Sequence, residues 1–456
     1  MSGRGSRILI KTLEETPMKS KDTLLIGLML FALFFGAGNL IYPPFLGMEA
    51  GESFWWAISG FVLTGVGLPI IAIAAIAIVK GGAEGLANRV HPLFGLVFIT
   101  SVYLAIGPFF AIPRGANVAY EMGVRPFVEG GPILLIFTMI FFALAYFVSL
   151  NPSKIVERVG RWLTPALLLT IIALAGASFI NFDQTNLTPN EKYETTPFFT
   201  GFLEGYLTMD TIAALAFGII VINAFKQNGI TDQRQLMKKS VTAGVIAGIG
   251  LAFVYISIGW MGVKMAHFGT YENGSEILSS GAEILFGAGG KLLLGLIVLL
   301  ACFSTVVGLT IACSQYFTRH TSKISYKTMV TAIILFSFIV SNLGLNQIIS
   351  LSVPALVMIY PITIVLISLA FLHRFFKGSQ MVYRGAILLT GLVSLYDGLT
   401  AFGIQMNFIQ QLVELLPFAS IGLAWLVPAI VGGIAGYILE QVKSNSNQEK
   451  NPKQAA

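Results

Sequence analysis

Long apolar stretches separated by short polar segments make up most of the chain. Each stretch approaches the roughly 20 residues that an α-helix needs to cross a bilayer. Strands of a membrane barrel would instead alternate over about 10 residues, which this pattern does not. The spacing therefore predicts an all-α integral membrane protein with about 12 transmembrane helices, at residues 24–46, 54–79, 93–113, 131–150, 162–180, 198–223, 241–263, 291–316, 328–342, 347–372, 384–403 and 416–439.

Two of these predicted helices are interrupted near their middle. The first reads FFGAGNLIYPP over residues 34–44, and the sixth reads FLEGYLTMD over residues 202–210. Glycine and proline also serve close helix packing in membranes, but interrupted helices at matching positions in two halves indicate a transporter binding site. The sixth helix starts an odd number of helices after the first, which inverts its orientation. We therefore predict inverted five-helix repeats at 22–180 and 198–372, followed by two further helices within 383–441.

The interruption at Gly36, Ala37 and Gly38 predicts a binding site for an anionic group. An unwound turn frees backbone N–H groups, which are costly in lipid unless they find an acceptor. A half-helix that starts near Asn39 directs its positive dipole end at the same gap. The carbonyls freed just before the gap, at residues 32–35, could coordinate a cation or an ammonium group.

The sixth predicted helix places two acids, Glu204 and Asp210, in an otherwise apolar run. A carboxylate at the bilayer centre costs about 2.5–3.5 kcal/mol, so such residues indicate function by default. Glu204 could instead lie near the outer interface. Asp210 lies deeper, and it could coordinate a cation, exchange a proton or hold the unwound segment.

The eighth predicted helix contains the sequence ACFST, in which Ala301, Ser304 and Thr305 share one helical face. Two hydroxyls and a freed carbonyl are oxygen ligands suited to Na⁺. The alternative is that both hydroxyls bond carbonyls of their own helix, which is common in membrane helices. A cation site is therefore favoured only if this face meets the first interruption.

The charge of +6 is explained by topology and not by a nucleic-acid partner. If residues 1–21 are cytoplasmic, the inside segments carry 23 of the lysines and arginines. This excess follows the positive-inside rule and predicts that both termini are cytoplasmic, with a disordered tail at 442–456. Two loops, 181–197 and 264–290, are predicted to be polar and exposed. The outside loops would hold the remaining five basic residues, namely Arg114, Arg125, Lys192, Lys264 and Lys291.

Signatures of catalysis are absent from the sequence. There is no phosphate-binding loop of an ATPase, no paired histidine spacing for a metal and no nucleophile motif. We predict a protein that is not an enzyme and has no cofactor apart from a co-transported cation.

Three segments resemble a known family, the bacterial branched-chain amino acid:cation symporters of the amino acid–polyamine–organocation superfamily. They are FALFFGAGNLIYPPFLG at 31–47, GFLEGYLTMDTIAALAFG at 201–218 and ACFSTVVGLTIACSQYF at 301–317. The likeness extends over 21–437 and implies the LeuT-type fold, with broken first and sixth helices.

The resemblance also implies a binding site. The substrate carboxylate would meet the first break, and its ammonium group would meet carbonyls of both unwound segments. A sodium ion would lie between the first and eighth helices. The substrate residues implied are Ala32, Leu33, Phe34, Gly36, Ala37, Gly38, Tyr206, Thr208 and Met209, with Asp210 and Glu204 as coupling acids. The cation residues implied are Ala32, Phe35, Ala301, Ser304 and Thr305.

The function implied is import of leucine, isoleucine and valine across a bacterial cell membrane, in symport with a cation and by alternating access. Sodium is favoured over protons, because the predicted fifth helix lacks the lysine that fills the cation site in some proton-coupled relatives. The alternative is a transporter of the same fold for another small solute, such as a different amino acid or a nucleobase.

Overall fold

The computed structural model describes residues 20–128, 132–150, 154–181, 187–230, 232–321, 323–404 and 406–450. All regular secondary structure in these ranges is helical. The helices of the first half are α1 (Ser20–Phe34), α2 (Ala37–Ala50), α3 (Phe54–Val62), α4 (Leu68–Ile78), α5 (Gly82–Asn88), α6 (Pro92–Leu104), α7 (Ala111–Gly123), α8 (Ile133–Leu150) and α9 (Lys154–Asn181).

The second half begins with a short helix and a second interrupted one. Its helices are α10 (Glu191–Glu194), α11 (Pro197–Glu204), α12 (Asp210–Gln227), α13 (Gln233–Met265), α14 (Gly274–His320), α15 (Tyr326–Ser341), α16 (Leu345–Leu372), α17 (Gln380–Ala401), α18 (Asn407–Glu414) and α19 (Leu426–Lys450). A π-helical turn over Leu63–Gly67 joins α3 to α4, so these two form one continuous helix.

Large apolar side chains cover the outside of the helix bundle. Trp56, Phe147 and Ile249 are each about two-thirds exposed, which an aqueous surface does not tolerate over so wide an area. Within the described residues, 8 helices are long and apolar enough to cross a membrane, and shorter apolar helices are present at Asp22–Phe34, Leu168–Ile180 and Tyr326–Ser341. The protein is therefore a multi-pass membrane protein.

Glycines let the two interrupted helices pack against their neighbours at backbone contact. A Cβ on Gly47 of α2 would collide with the Gly259 carbonyl of α13, and one on Gly262 would collide with Pro44. A Cβ on Gly201 of α11 would likewise meet the backbone of α3. Small residues at such crossings are the usual way for membrane helices to approach closely. The halves α2 and α11 are thereby held in fixed positions around the interruptions.

The long helix α14 bends at Gly287, whose φ of 67° and ψ of −167° are open to glycine and strained for other residues. Helix α7 continues from α6 through a second irregular turn, in which Gly107 is non-helical and is followed by Pro108. The carboxyl-terminal helices α17 and α19 pack on each other, and α17 also packs on α16.

Several sequence-predicted boundaries differ from the structure. The third helix, predicted to end at 113, continues to Gly123, because the polar residues beyond 113 face the protein interior. The segment 264–290, predicted as an exposed loop, contains the start of α14, where the Asn273 side chain caps the backbone N–H groups of Ser275 and Glu276. The predicted tail boundary at 442 falls inside α19, and residues 1–19 and 451–456 lie outside the described residues.

Candidate functional site

The first break, residues 35–38, comprises the two residues between α1 and α2 together with the first two residues of α2, Ala37 and Gly38. Gly36 is extended, with φ of −128° and ψ of −170°, and it precedes the first turn of α2. Its backbone N–H donates to Oδ1 of Asn39 over 2.9 Å, which caps the half-helix from its own first turn. The amino end of α2 is consequently directed into the protein interior.

The second break, residues 205–209, separates α11 from α12. A 3₁₀ turn runs over Gly205–Thr208, and Met209 follows in the left-handed region with φ of 67°. The Thr208 hydroxyl donates to the Gly205 carbonyl over 3.0 Å. A left-handed residue ends one helix and lets the next begin in a new direction, so the carbonyls of Leu207 and Thr208 are released from helical bonding.

A buried polar cluster joins the two breaks. Oδ2 of Asp210 accepts from Nδ2 of Asn39 and from the Tyr255 hydroxyl of α13, each over 2.7 Å. Asn39 and Tyr255 also contact each other, and all three residues are at most 2% exposed. A buried carboxylate requires such donors to remain charged. Asp210 thus fixes the relative position of the first break, the second break and α13.

Arg114 of α7 lies against both breaks, although the sequence placed it in an outside loop; that prediction is wrong. The residue is only 3% exposed. Its Nη1 donates to the Leu207 carbonyl over 2.8 Å and to the Tyr42 hydroxyl over 3.2 Å, and its Nη2 approaches the Thr208 carbonyl at 3.5 Å. Lys264 was predicted to lie in an outside loop as well, but it is also buried, at 4% exposure.

Gly38 provides the space that Arg114 occupies. A Cβ on Gly38 would lie 2.6 Å from Nη2 of Arg114, well inside van der Waals contact. A Cβ on Gly36 would meet only ordinary contacts at 3.7 Å, from Asn39 and Thr305. The two glycines of the first break therefore have different roles, and Gly38 is the one that must remain small.

A cavity of about 40 Å³ lies between the breaks, and we call it the central cavity. A water molecule needs roughly 10–15 Å³ of such volume, so the cavity must widen to hold an amino acid. Polar groups of both breaks line one part of it, and apolar side chains line the rest. Its lining comprises Leu33, Phe34, Gly36, Ala37, Gly38, Asn39, Ile106, Ala111, Arg114, Gly115, Thr208, Met209, Asp210, Ala213, Phe217, Cys302, Thr305 and Leu309.

A second cavity of about 240 Å³ is lined by Tyr42 and Leu207, neither of which lines the central cavity. Arg114 lines the central cavity and donates to both of these residues, so it connects the walls of the two cavities. Lys192 and Glu204 line the second cavity, and the Lys192 ammonium pairs with Glu204 at 2.8 Å and with Glu49 at 2.5 Å.

The charge state of Lys192 follows from these partners. Burial lowers the pKa of Lys192, whereas the carboxylates of Glu204 and Glu49 raise it, and the net effect holds the pKa above its ordinary value. The ammonium therefore remains charged at neutral pH and ties α10 to α11 and to the end of α2.

The chain is similar in sequence to known transport proteins. The sequence profile described as branched-chain amino acid transport protein matches residues 19–443. The chain belongs to this family. It is 47% identical over 430 residues to the branched-chain amino acid permease BrnQ of Bacillus subtilis (strain 168), covering 93% of this chain and 98% of that protein. It is also 47% identical over 425 residues to the permease BraB of the same organism, covering 92% and 95%.

Two solved transporters share the fold of this family member. The inward-facing conformation of Mhp1 superposes with a TM-score of 0.62 at 16% identity, covering 92% of this chain and 91% of that one. MhsT in complex with L-phenylalanine superposes with a TM-score of 0.51 at 16% identity, covering 93% and 98%. The resemblance drawn from the three sequence segments is confirmed, as is the prediction that the chain is a transport protein and not an enzyme.

The substrate residues that were predicted from the family resemblance fall into two groups in the structure. The larger group lines the central cavity and comprises Leu33, Phe34, Gly36, Ala37, Gly38, Thr208 and Met209, together with the acid Asp210. Ala32 and Tyr206 do not line it; Tyr206 instead stacks on Tyr360 of α16, with ring centroids 4.4 Å apart. Glu204 lies at the second cavity, so the structure separates the two acids that the sequence grouped together.

Among the predicted cation residues, only Thr305 lines the central cavity. Its methyl group faces the first break, as its 3.7 Å approach to the Gly36 Cβ position shows, while its hydroxyl donates to the Ala301 carbonyl over 3.1 Å. The described residues contain no cluster of three or more His, Cys, Asp or Glu side chains suited to a metal. The eighth predicted helix meets the first break through the Thr305 methyl group, while the Thr305 hydroxyl bonds its own helix, as in the alternative interpretation of this sequence. The cation site therefore stays a prediction.

Sequence reasoning missed Arg114, and one signal could have located it. Helix α7 reads AIPRGANVAYEMG, in which Arg114 and Asn117 are three residues apart and hence on one helical face. Both are buried, at 3% and 0% exposure. An isolated arginine beside the end of an apolar stretch is usually assigned to a loop. The nine residues from Gly115 to Gly123 are mostly small or apolar, which argues for an extended helix.

Proposed function

We propose that the chain imports leucine, isoleucine and valine across the bacterial cell membrane in symport with a cation. The observation that carries this proposal is the composition of the central cavity. Backbone and side-chain polar groups from both breaks occupy one part of it, and Ile106, Ala213, Phe217 and Leu309 supply an apolar wall. A branched aliphatic amino acid has the same division between a charged end and an apolar end.

Overlapping use of the three substrates follows from this wall. An apolar pocket distinguishes one methylene group by only about 1–3 kcal/mol. We therefore expect leucine, isoleucine and valine to compete with one another rather than one of them to be exclusive.

We further propose twelve membrane spans arranged as two inverted five-helix repeats with two helices added. The supporting observation is that interruptions occur at α1–α2 and at α11–α12, with their unwound segments in contact. Each of the pairs α3–α4 and α6–α7 would form one span, and the part of α14 after Gly287 would form another. Alternating access would then move the two broken helices against the rest of the bundle.

Both termini are proposed to be cytoplasmic. The corrected burial of Arg114 and Lys264 supports this, because only Arg125, Lys192 and Lys291 then remain of the basic residues assigned to the outside loops. The positive-inside asymmetry is correspondingly larger than the sequence alone indicated.

Sodium is the proposed coupling ion. Thr305 meets the first break, and the predicted fifth helix contains no lysine to replace a bound cation. One cation that crosses a membrane potential of 100 mV releases about 2.3 kcal/mol. Because about 1.4 kcal/mol corresponds to a tenfold concentration ratio, this energy supports accumulation of the substrate by roughly fifty-fold.

The decisive experiment measures uptake of labelled leucine into proteoliposomes that contain the purified protein. Sodium and proton gradients are imposed separately, and isoleucine, valine and a nucleobase are added as competitors. We expect uptake under the sodium gradient, with inhibition by isoleucine and valine only. Uptake driven by the proton gradient alone would show that the coupling ion is the proton and not sodium. Competition by the nucleobase, or no uptake by folded protein under either gradient, would contradict the proposed substrate.

A further inference from the structure

Arg114 is a buried cation whose bonding partners are all neutral. They are two backbone carbonyls and the Tyr42 hydroxyl, and the Tyr42 ring lies 5.4 Å from the guanidinium carbon. In the described part of the chain, every ion pair is formed by other residues. The Asp210 carboxyl group, which lines the same central cavity, attracts Arg114 electrostatically, but no hydrogen bond between the two is present among the described residues. A guanidinium removed from water without a directly bonded anion is expensive. The cost indicates a function beyond packing.

The guanidinium also retains unused bonding capacity beside the cavity. Its Nε is buried and has no hydrogen-bond partner among the described residues, and Arg114 lines the central cavity. The long 3.5 Å contact of Nη2 leaves that group weakly bonded. Guanidinium N–H groups form a planar fork that matches the two oxygens of a carboxylate.

The position of this fork coincides with the first break. Nη2 lies 2.6 Å from the Cβ position of Gly38, next to the amino end of α2. A carboxylate there would face the positive dipole end of α2 as well as the guanidinium. The two sources of positive potential come from different helices and converge on one part of the cavity.

We propose that Arg114 binds the carboxylate of the transported amino acid, an assignment that rests on the proposed function. Sequence reasoning attributed this role to the backbone of the first break alone. The structure adds a fixed positive charge, and with it a reason for the protein to reject amines and amides that have the same side chain but no carboxylate. Arg114 is a specificity-determining residue in this interpretation.

The alternative is a purely structural role, in which Arg114 only connects α2, α7 and the second break through its bonds to Tyr42 and Leu207. The alternatives differ in one measurable respect. A structural tie supports every ligand of the cavity equally, whereas a carboxylate ligand supports leucine and does not support leucinamide, which keeps the ammonium group and the side chain.

The test measures ligand-induced thermal stabilisation of the purified full-length protein, because a ligand that binds the folded state raises its stability in proportion to its affinity. Leucine and leucinamide are titrated separately against the wild type and Arg114→Gln, in the presence of sodium. For the wild type we expect leucine to bind about 10- to 100-fold more tightly than leucinamide, as charged hydrogen bonds allow. In Arg114→Gln we expect this ratio to fall to about three-fold or less, through weaker binding of leucine.

Arg89 provides a matched control. It also donates to a tyrosine hydroxyl, that of Tyr383, over 2.8 Å, and its guanidinium carbon lies 5.7 Å from that ring. It does not line the central cavity. Arg89→Gln is therefore expected to keep the wild-type ratio between leucine and leucinamide.

Arg114→Lys is a second variant, to be measured if Arg114→Gln does not fold. Lysine keeps the charge but loses the planar fork, so leucine binding is expected to weaken several-fold with leucinamide binding unchanged. An unchanged ratio in a folded Arg114 variant, or equal loss of both ligands, would overturn the assignment. Failure of leucine to stabilise even the wild type would overturn the proposed substrate itself, an outcome distinct from a defect seen only in the variants.

Discussion

The two breaks interrupt helices in different ways. At the first break the chain opens at Gly36, an extended residue, and the amide of Asn39 caps the helix that follows. At the second break the chain turns through a 3₁₀ segment and a strained Met209, and a carboxylate begins the next helix. The first break supplies the amino end of a helix, and the second supplies the Asp210 carboxyl group and carbonyls that are released from helical bonding.

This difference explains why the breaks need two further helices, α7 and α13. An exposed helix end and a buried carboxylate would each be costly alone. Asn39 and Tyr255 satisfy Asp210, and Arg114 satisfies the carbonyls of Leu207 and Thr208. The two breaks thus share one polar network, in which each break depends on the other and on α7 and α13.

Enlarging Gly38 should have the largest effect on this network. Gly38→Ala forces Arg114 to shift, and overpacking of this kind costs about 1–3 kcal/mol, so we expect leucine uptake to fall about 10-fold or more. Gly38→Leu should abolish it at normal expression. The matched control is Gly36→Ala, which meets only ordinary contacts and should retain uptake within about two-fold. Equal effects at both glycines would contradict the different roles assigned to them.

Removing the charge that joins the breaks should have the next largest effect. Asp210→Asn keeps the shape of the side chain but weakens two charge-assisted bonds, worth about 1.5–3 kcal/mol each. We expect the rate of leucine uptake to fall about 10-fold, with a smaller loss for Tyr255→Phe, which removes one donor only. An unchanged rate in Asp210→Asn would leave the carboxylate with a purely structural role.

Changes at the predicted cation face of α14 should be milder. Replacing Ser304 and Thr305 together by alanine is expected to raise the half-saturating sodium concentration about five-fold. This corresponds to a loss of about 1 kcal/mol in the free energy of sodium binding. Maximal leucine binding at saturating sodium should be retained. Thr310→Ala is the control, because its hydroxyl also bonds its own helix, at Val306, but does not line the central cavity. Unaltered sodium dependence in the double variant would remove these hydroxyls from the proposed site.

Relieving the backbone strain at Met209 should have the smallest effect, and we expect it in the free energy of unfolding. A non-glycine residue in the left-handed region costs about 1 kcal/mol, so Met209→Gly should be more stable than Met209→Ala by about this amount in thermal unfolding. At Ala214, inside α12, the order reverses, and Ala214→Gly should lose about 1 kcal/mol. Greater stability of Met209→Ala over Met209→Gly would show that the second break does not store strain at this residue.

Much of the architecture was predictable because lipid imposes a simple rule. A membrane helix must be apolar over about 20 residues, so the positions of the apolar stretches and of the two interruptions are visible in the sequence. The predicted residues Gly36, Ala37 and Gly38 of the first half, and Thr208, Met209 and Asp210 of the second, lie together around the central cavity. These are local features, since a glycine pair or an acid within an apolar run stands out without knowledge of its neighbours.

The sequence by itself determined the helical membrane fold, the family and the two interruptions, because hydrophobic length and backbone-breaking residues act locally. Only the tertiary structure decided that Arg114 belongs to the central cavity and that Glu204 belongs to a different one. It also decided which glycine of the first break makes room for a side chain. These facts depend on contacts between residues about 70 to 90 positions apart, such as Arg114 with Tyr42 and with Leu207, and hydropathy along a chain carries no information about which helices meet.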